Sequence, residues 1–372
     1  MTNKAIKYRV YPTTEQSIMF AKTFGCCRKI YNLMLSDKIA YYKATGKSIQ
    51  TTPAQYKDEY PYLREVDSLA LANVRLNLQA AYKNFFDKKH KARSGFPKFK
   101  SRKARNSYTT NNQKGTIAII DDKYIKIPKI GKVKAIIHRK ANADWKLKSA
   151  TISRESDGSY YISILYEFER VVTKVAKSKN AIGLDYKSDG LYMDSNGNVG
   201  TNHKYYRESQ KKLAKAQRRL SRMQGSKKNE PKSNNYIKQL RKTNKIHRHI
   251  ANQRLDNLHK ISTEIANQYD VVCVEDLNMT AVGNKGFKNG KATYDNGYGM
   301  FLNMLEYKLS DRGKYFVKVD KFYPSSQLCS CCGNRKKLEL SERKYICICG
   351  LEIDRDLNAA INIKNEGLRL LA

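Results

Sequence analysis

The sequence has few acidic residues for its length. Among 372 residues, 34 are Asp or Glu and 72 are Lys or Arg, which leaves a net charge of +38. So large an excess repels itself unless a polyanion neutralises it, and nucleic acid is the natural candidate because each neutralised phosphate releases counterions. A basic but merely soluble surface and an anionic membrane partner are the alternatives. The basic residues are spread along the chain rather than gathered in one amphipathic anchor, which disfavours the membrane.

Long hydrophobic segments are also missing. No stretch approaches the about 18 consecutive apolar residues that indicate a membrane span. The opening residues, MTNKAIKYRVYP, contain no apolar core of the signal-peptide type. We therefore expect a cytoplasmic protein.

Tryptophan is nearly absent, with one residue, whereas there are 26 Tyr and 11 Phe. Many of the tyrosines must pack in hydrophobic cores. Tyrosine interleaved with Lys and Arg also suits stacking on bases and sugars.

The first part of the chain combines one strand signal with a long helical pattern. Residues 4–10 alternate like a short strand, and Thr13 or Thr14 can cap a following helix, with Gln16 placed for a capping interaction. The pattern then stays helical to about residue 92.

A basic loop, 95–105, ends the helical pattern, and 106–170 contains short strands separated by turn residues. Two alternating runs joined around Asp157 and Gly158 predict a hairpin. These strands predict an antiparallel barrel or sheet into which the first strand pairs back. The helical block is then an insertion in a β-domain.

Beyond a polar linker, apolar strands alternate with helices, which predicts an α/β domain. The predicted strands and helices are 181–187, 205–222, 235–268, 271–278 and 315–320, and a short helix ends the chain. The inner face of the longest helix is predicted to contain Ile237, Leu240, Asn244, His247, Ala251, Arg254, Leu258, Ile261 and Ile265.

Acidic residues occur within one apolar strand, at the end of another and at the start of the last helix: Asp185, Glu275 with Asp276, and Asp354 with Asp356. A charge in an apolar strand is costly unless something pairs with it. Converging carboxylates can hold two Mg²⁺ ions, which activate water in phosphodiester hydrolysis. Each acid also has a structural explanation, such as a lysine pair for Asp185, a surface ion pair for Glu275 or a plain N-cap for Asp354.

Five of the eight cysteines lie between Cys329 and Cys349, which indicates metal binding rather than disulfides in a chain without an export signal. Cys329 and Cys332 have C-x-x-C spacing, and Cys347 and Cys349 form a shorter C-x-C pair. The two pairs predict a closed, structural Zn²⁺ site. The tighter second pair and the spare thiol of Cys331 leave a distorted or partly lost site open.

Several of these segments resemble the TnpB family, the transposon-encoded ancestors of type V CRISPR effectors. KYRVYPTTEQ and TFGCCRKIYN resemble the start of that family, and GFPKFK resembles its basic segment after the helical block. GLDY, CVEDLN, YPSSQLCSCCG and DRDLNAAINI resemble its three RuvC motifs and its zinc ribbon, in the family's order. The resemblance covers nearly the whole chain, and the last motif with its upstream Cys pair is the specific part.

The resemblance implies a multidomain α/β fold. A β-barrel wedge domain with an inserted helical recognition lobe would precede a RuvC (ribonuclease-H-like) α/β domain with an inserted zinc ribbon. The implied boundaries are 1–11 with 93–178 for the wedge, 12–92 for the lobe, 179–322 with 351–372 for the nuclease domain and 323–350 for the ribbon.

The resemblance also implies an activity, that of an RNA-guided DNA endonuclease associated with the nucleoid. A noncoding guide RNA and double-stranded target DNA are the implied partners, with one protein per RNA, and the protein itself reads a short flanking motif. The family's catalytic, Mg²⁺-binding acids map to Asp185, Glu275 and Asp356, with Asp354 as the weaker alternative for the third. Its zinc ligands map to Cys329, Cys332, Cys347 and Cys349, although the family usually has C-x-x-C in the second pair.

Basic residues on the two predicted helices between the first and second acids are candidate phosphate contacts. They are Arg207, Lys211, Arg218, Arg219, Arg241 and Arg248. A solvated surface charge is the alternative for each one.

Two other functions remain as alternatives. A guided DNA-binding repressor without cleavage would be expected to have lost acids of the RuvC motifs, and here all three positions are filled. A transposase that joins strands could use the same core, but the zinc ribbon and the TnpB-like front half disfavour it.

Overall fold

The chain consists of two compact units, Met1–Arg170 and Val171–Ala372. A computed structural model describes residues 1–87, 95–102, 105–176, 180–227, 230–279, 295–339 and 342–372. Within these ranges, no helix combines the length and the hydrophobicity that crossing a bilayer requires.

A seven-stranded antiparallel sheet frames the first unit. Its strands are β1 Thr2–Tyr11, β2 Asn106–Asn111, β3 Ala118–Ile120, β4 Tyr124–Ile127, β5 Gly131–Ile136, β6 Lys146–Arg154 and β7 Tyr160–Phe168. They lie in the order β2-β6-β7-β1-β5-β4-β3. The first strand therefore lies in the middle of the sheet, paired with β7 and β5, and the predicted pairing of this strand with the later ones is confirmed.

The hairpin between β6 and β7 turns where the sequence predicts. Gly158 has φ of 89°, a left-handed conformation that costs glycine little, and the carboxylate of Asp157 accepts the N–H of Ser159 at 3.0 Å. The strands pair from Arg154 and Tyr160 outward.

Two helices of the first unit follow β1. Helix α1, Thr14–Thr45, begins with a capping box in which Thr13 and Gln16 bond each other's backbone, as the sequence indicates. Helix α2, Ser68–Phe86, begins at Asp67, whose carboxylate accepts the N–H of Leu69. The continuous helical pattern predicted to about residue 92 is wrong between the helices, where two short 3₁₀ turns each begin at a proline, a residue suited to a first helical turn. Residues 88–92 of that prediction lie outside the described residues.

The second unit is an α/β domain with a four-stranded sheet. Its strands are β8 Ala181–Tyr186, β9 Tyr192–Asp194, β10 Val271–Glu275 and β11 Tyr315–Val319, in the order β11-β10-β8-β9. β10 is parallel to β8 and β11, and β9 is antiparallel to β8. The helices are α3 Tyr205–Ser221, α4 Asn234–Gln268, α5 Tyr298–Ser310 and α6 Arg355–Leu371. A separate hairpin joins β12, Lys344–Ile346, and β13, Glu352–Asp354.

Alternate residues of β10 face helices on opposite sides of this sheet. Val272 and Val274 pack in one cluster with residues of α4 and α5. Val271 and Cys273 pack in a second cluster with Ile363 of α6. The predicted α/β class is therefore confirmed, with a hydrophobic core on each face of the sheet.

Candidate carboxylate and cysteine sites

Two of the predicted acids lie side by side at one edge of the second unit's sheet. Asp185 is the penultimate residue of β8, and Glu275 is the last residue of β10. The register pairs Val274 with Leu184, so the next residue along each strand brings the two carboxylates to neighbouring positions. Because β8 and β10 are parallel, both acids lie at the carboxyl ends of their strands, the usual place for ligand binding in such sheets.

Close packing of α6 against the same strands brings the third acid to this edge. A Cβ on Gly183 of β8 would lie 2.1 Å from the carbonyl oxygen of Ala360, and one on Gly367 of α6 would lie 2.3 Å from the sulfur of Cys273. Only glycine allows the helix and the sheet to approach this closely. Asp356, in the first turn of α6, is thereby held beside the strand ends.

The two acids of the DRD sequence have different contacts. Asp354 is the N-cap of α6, and its carboxylate accepts the N–H groups of Asp356 at 2.9 Å and Leu357 at 3.0 Å. Asp356 instead accepts a hydrogen bond from Lys187 Nζ at 2.5 Å, which raises the pKa of that lysine. The capping explanation for Asp354 is therefore correct.

Burial and neighbouring charge both act on the two strand carboxyl groups. Burial raises the pKa of Asp185 well above its usual value, and the charges of Glu275 and Asp356 raise it further, against the backbone N–H of Tyr186. Burial also raises the pKa of Glu275 to about 7. A cation among these groups would lower the pKa values of both Asp185 and Glu275. Carboxylate oxygens are the ligands that a hard divalent cation such as Mg²⁺ prefers.

Two further residues lie near the carboxylates, and neither could be identified from its sequence pattern. Lys187 lies two residues after Asp185, but its pairing with Asp356 depends on the packing of α6. Tyr298 of α5 is fully buried, with its ring 4.9 Å from that of Tyr186, and its hydroxyl finds no hydrogen-bond partner among the described residues. In the sequence this tyrosine resembles any core aromatic residue.

The four predicted zinc ligands converge. The sulfur atoms of Cys329, Cys332, Cys347 and Cys349 all lie within 4.8 Å of one another. The pairs Cys329–Cys349 and Cys332–Cys347 are 3.6 and 3.5 Å apart. Ligands at about 2.3 Å from a tetrahedral zinc ion would be about 3.8 Å apart, so the arrangement fits Zn²⁺. The C-x-C spacing therefore does not prevent convergence.

Tight turns build both halves of this cluster. Gly333 and Gly350 have φ of 74° and 89°, and each donates its N–H to the carbonyl of the first cysteine of its pair, Cys329 or Cys347. The second turn connects β12 to β13, and these two strands pair with each other. The N–H of Cys349 also stabilises the thiolate of Cys347 and lowers its pKa to about 6.

Two buried asparagines, which the sequence reasoning missed, tie the cysteine loop to α6. The amide of Asn358 accepts the N–H of Ser330 at 3.0 Å and donates to the carbonyl of Leu328 at 2.6 Å. Asn362, one turn later, donates to the same carbonyl at 2.7 Å. The cysteine cluster is thus bonded to the helix that carries the third acid.

The predicted phosphate contacts lie on the helices α3 and α4. Arg207, Lys211 and Arg218 follow one another at helical spacing along α3, and they are exposed, as are Arg219 and Arg241. Arg248 of α4 is half-buried. Exposure makes these side chains available to a polyanion but does not distinguish a contact from a solvated charge.

Three family models match parts of the chain, and a solved structure has a similar fold. Residues 163–284 match the family described as "Probable transposase", residues 1–47 match its "Helix-turn-helix domain", and residues 298–363 match the "Cas12f1-like, TNB domain". The solved Cas12f1–sgRNA–target DNA complex has a similar fold, with a TM-score of 0.56 at 14% identity, covering 98% of this chain and 99% of that one.

Two relatives are similar over almost the entire chain. A protein of Streptomyces pristinaespiralis, provisionally named as an RNA-guided DNA endonuclease, is 34% identical over 98% of this chain and 89% of its own length. InsQ of Escherichia coli strain K12, which has the same provisional name, is 31% identical over 99% of this chain and 93% of its own. Identity at this level over full length confirms the resemblance found in the motifs, and the chain belongs to the TnpB family of transposon-encoded, RNA-guided nucleases.

Proposed function

We propose that this chain is an RNA-guided DNA endonuclease encoded by a transposable element. It would cleave target DNA beside a short flanking motif, at a single site made of Asp185, Glu275 and Asp356. The observation that carries the proposal is the convergence of these carboxylates at the ends of two parallel strands and the start of α6. The names of the full-length relatives and the net charge of +38 support the nucleic-acid substrate.

The three acids would hold two Mg²⁺ ions. Bound there, the ions would make a water molecule more acidic and stabilise the charge on the leaving oxygen. The protein's own part is to present the carboxylate oxygens on rigid elements. Lys187 holds the carboxylate of Asp356 in position through the hydrogen bond of 2.5 Å.

The four converging cysteines would bind a structural Zn²⁺ ion. A Cys₄ site is closed, so the ion would stabilise the fold rather than take part in cleavage. Through Asn358 and Asn362 the ribbon would also fix the position of α6.

We assign the remaining parts of the chain by the same proposal. Residues 1–11 with 93–178 would be the wedge domain, 12–92 the recognition lobe, 179–322 with 351–372 the nuclease domain and 323–350 the zinc ribbon. A noncoding guide RNA and double-stranded DNA would be the partners, with one protein per RNA, at the nucleoid. Phosphate contacts would come from Arg207, Lys211, Arg218, Arg219, Arg241 and Arg248.

A matched pair of substitutions tests the site. Asp356→Asn should abolish cleavage by the protein–RNA complex and leave guided DNA binding intact. Asp354→Asn, two residues away, should keep cleavage near the wild-type rate, because asparagine caps helices as well as aspartate does. Plasmid cleavage and DNA binding are measured with the same guide. Full cleavage by Asp356→Asn would remove the site assignment, and guided binding without cleavage by the wild type would favour a repressor. Strand joining instead of hydrolysis would favour a transposase.

A further inference from the structure

A group of aromatic rings lies on the surface of the first unit, at the end of α2 and in the segment that follows. We call the contacting rings of Tyr82, Phe85, Phe86 and Phe96, together with Phe99 three residues further along the chain, the aromatic patch. The ring of Phe96 meets those of Phe85 and Tyr82 edge to face, at centroid distances of 5.4 and 5.7 Å. Phe86 contacts the same two rings, at 5.0 and 6.3 Å.

The patch is unusual because three of its phenylalanines are exposed to solvent. Phe86 is 70% exposed, Phe99 is 57% exposed and Phe96 is 44% exposed. Single exposed apolar residues are common on protein surfaces, but clustered ones mark sites of interaction. The fold of the described residues therefore leaves this surface available to a partner.

The segment that carries Phe96 and Phe99 is held in place on α1. The side chain of Asn32 bonds the backbone of Lys100 twice, accepting its N–H at 2.8 Å and donating to its carbonyl at 3.0 Å. The ammonium of Lys100 lies 4.0 Å from the ring centre of Tyr31. Such anchoring presents the rings in a fixed place, which lowers the entropy cost of binding.

The charges around the patch favour an anionic partner with flat apolar groups. Lys83, Lys98 and Arg102 are exposed beside the rings in the sequence, and residues 95–102 contain no acid. Unpaired nucleotides combine a phosphate backbone with bases that stack on aromatic rings. A duplex hides its base faces, so it fits this surface poorly.

We propose that the aromatic patch stacks unpaired bases of the bound RNA. The proposal rests on the proposed function, which supplies the RNA partner. Among nucleic acids, RNA is favoured because rings this exposed need a lasting cover, and a guide RNA stays bound whereas target DNA is transient.

The test compares Phe86→Leu with Phe99→Leu, alone and combined, because leucine stays apolar but cannot stack. Phe322→Leu is the control, since Phe322 is 81% exposed beside Lys321 in the second unit. The probe is a labelled oligouridine of about 12 nucleotides. An abasic oligomer of the same length, which has no bases to stack, is the comparison probe. Each patch substitution should weaken oligouridine binding by about tenfold and the abasic oligomer hardly at all.

Two further measurements complete the test. They are the salt dependence of oligouridine binding and the binding of oligothymidine, a single-stranded DNA probe. Stacking is not screened by salt, so the loss should persist when the salt is raised from about 0.1 M to about 0.5 M. Equal losses for both oligomers, no loss, or a loss only with oligothymidine would overturn the proposal. A difference in molecular mass between the wild type and the patch variants, measured by light scattering, would also overturn it, because the patch would then mediate self-association. If wild-type protein binds no RNA at all, the proposed function fails; if it binds RNA and the variants bind equally, only this inference fails.

Discussion

At the residue scale, the carboxylate site is built from groups that repel one another. Burial raises the pKa of both Asp185 and Glu275, and the charges of Glu275 and Asp356 make ionisation of Asp185 less favourable still. Without a cation the site therefore destabilises the folded protein near neutral pH. The same repulsion is what a divalent cation would relieve.

The burial of Glu275 predicts how stability depends on pH in the metal-free protein. The folded protein keeps a proton on Glu275 up to about pH 7, whereas the unfolded chain releases it near pH 4.5. The free energy of unfolding should therefore fall as pH rises through this range, by up to about 3 kcal/mol from this group. Glu275→Gln should remove that part of the decline, as measured by denaturant unfolding at the two ends of the range.

Glu264→Gln is the control, because Glu264 is exposed on α4. It should follow the wild-type curve. An unchanged pH dependence in Glu275→Gln would mean that this carboxyl is not buried as described.

The sequence indicates such acids only in part. A charge inside an apolar strand singles out Asp185, and the end of a second strand singles out Glu275. The choice between Asp354 and Asp356 could not come from spacing alone, because both lie at the start of a helix. Only the hydrogen bonds distinguish Asp354, which caps the helix, from Asp356, which pairs with Lys187. Lys187 could not be predicted at all, since its partner is 169 residues away.

At the element scale, the position of α6 decides the geometry of the site. The helix lies against β8 and β10 only because Gly183 and Gly367 leave room for it. It is also bonded to the cysteine loop through Asn358 and Asn362. The same helix therefore contacts both the strands that carry Asp185 and Glu275 and the loop that carries the cysteine cluster.

Gly183→Ala should disturb this packing. The added Cβ would meet backbone atoms of α6, which cannot move aside like a side chain, so we expect a loss of about 2 kcal/mol or more in the free energy of unfolding. Gly299→Ala in α5 is the control, since its Cβ would make only an ordinary contact of 3.7 Å with Met279. Denaturant unfolding measures both, and equal stability of the two variants would contradict the close approach.

The cysteine cluster predicts a difference between two adjacent thiols. Cys331 and Cys332 are both exposed, but only Cys332 belongs to the converging set. Cys332→Ser should purify with less than the about one equivalent of zinc per chain expected of a Cys₄ site, and its last helix should become more sensitive to protease. Cys331→Ser should keep its zinc. Equal zinc loss in both variants, measured by elemental analysis, would contradict the assignment.

Helix positions could be predicted from the sequence more readily than helix faces. The predicted inner face of α4 is wrong at His247 and Ala251, which are exposed. Gln239 and Thr243 are buried instead, and Gln239 donates to the carbonyl of Ala216 on α3. Because this half of α4 packs through polar contacts, hydrophobic periodicity cannot predict its buried face.

At the scale of the whole molecule, charge dominates. A net charge of +38 favours tight, salt-sensitive binding of a polyanion. Composition alone predicts this property, because it depends on the total excess of Lys and Arg over Asp and Glu. It does not predict which of the basic residues touch phosphate.

Salt dependence can identify the contacts. Replacing Arg218 and Arg219 of α3 by alanine should lower the slope of log K against log salt by about 0.7 for each lost contact with single-stranded nucleic acid. Lys260→Ala is the control, because Lys260 already pairs with Asp256 at 2.7 Å. Titrations of RNA binding at several salt concentrations measure the slopes, and a wild-type slope in the double variant would assign both arginines to solvated surface charge.

We expect the protein to work with a guide RNA. The most direct measurement is to express the chain with its native flanking DNA, purify it and sequence the RNA that accompanies it. We predict a single abundant RNA that begins in the element's end and runs into the adjacent sequence. No RNA, or a random mixture of cellular RNA, would contradict the claim and leave an unguided nuclease or a transposase.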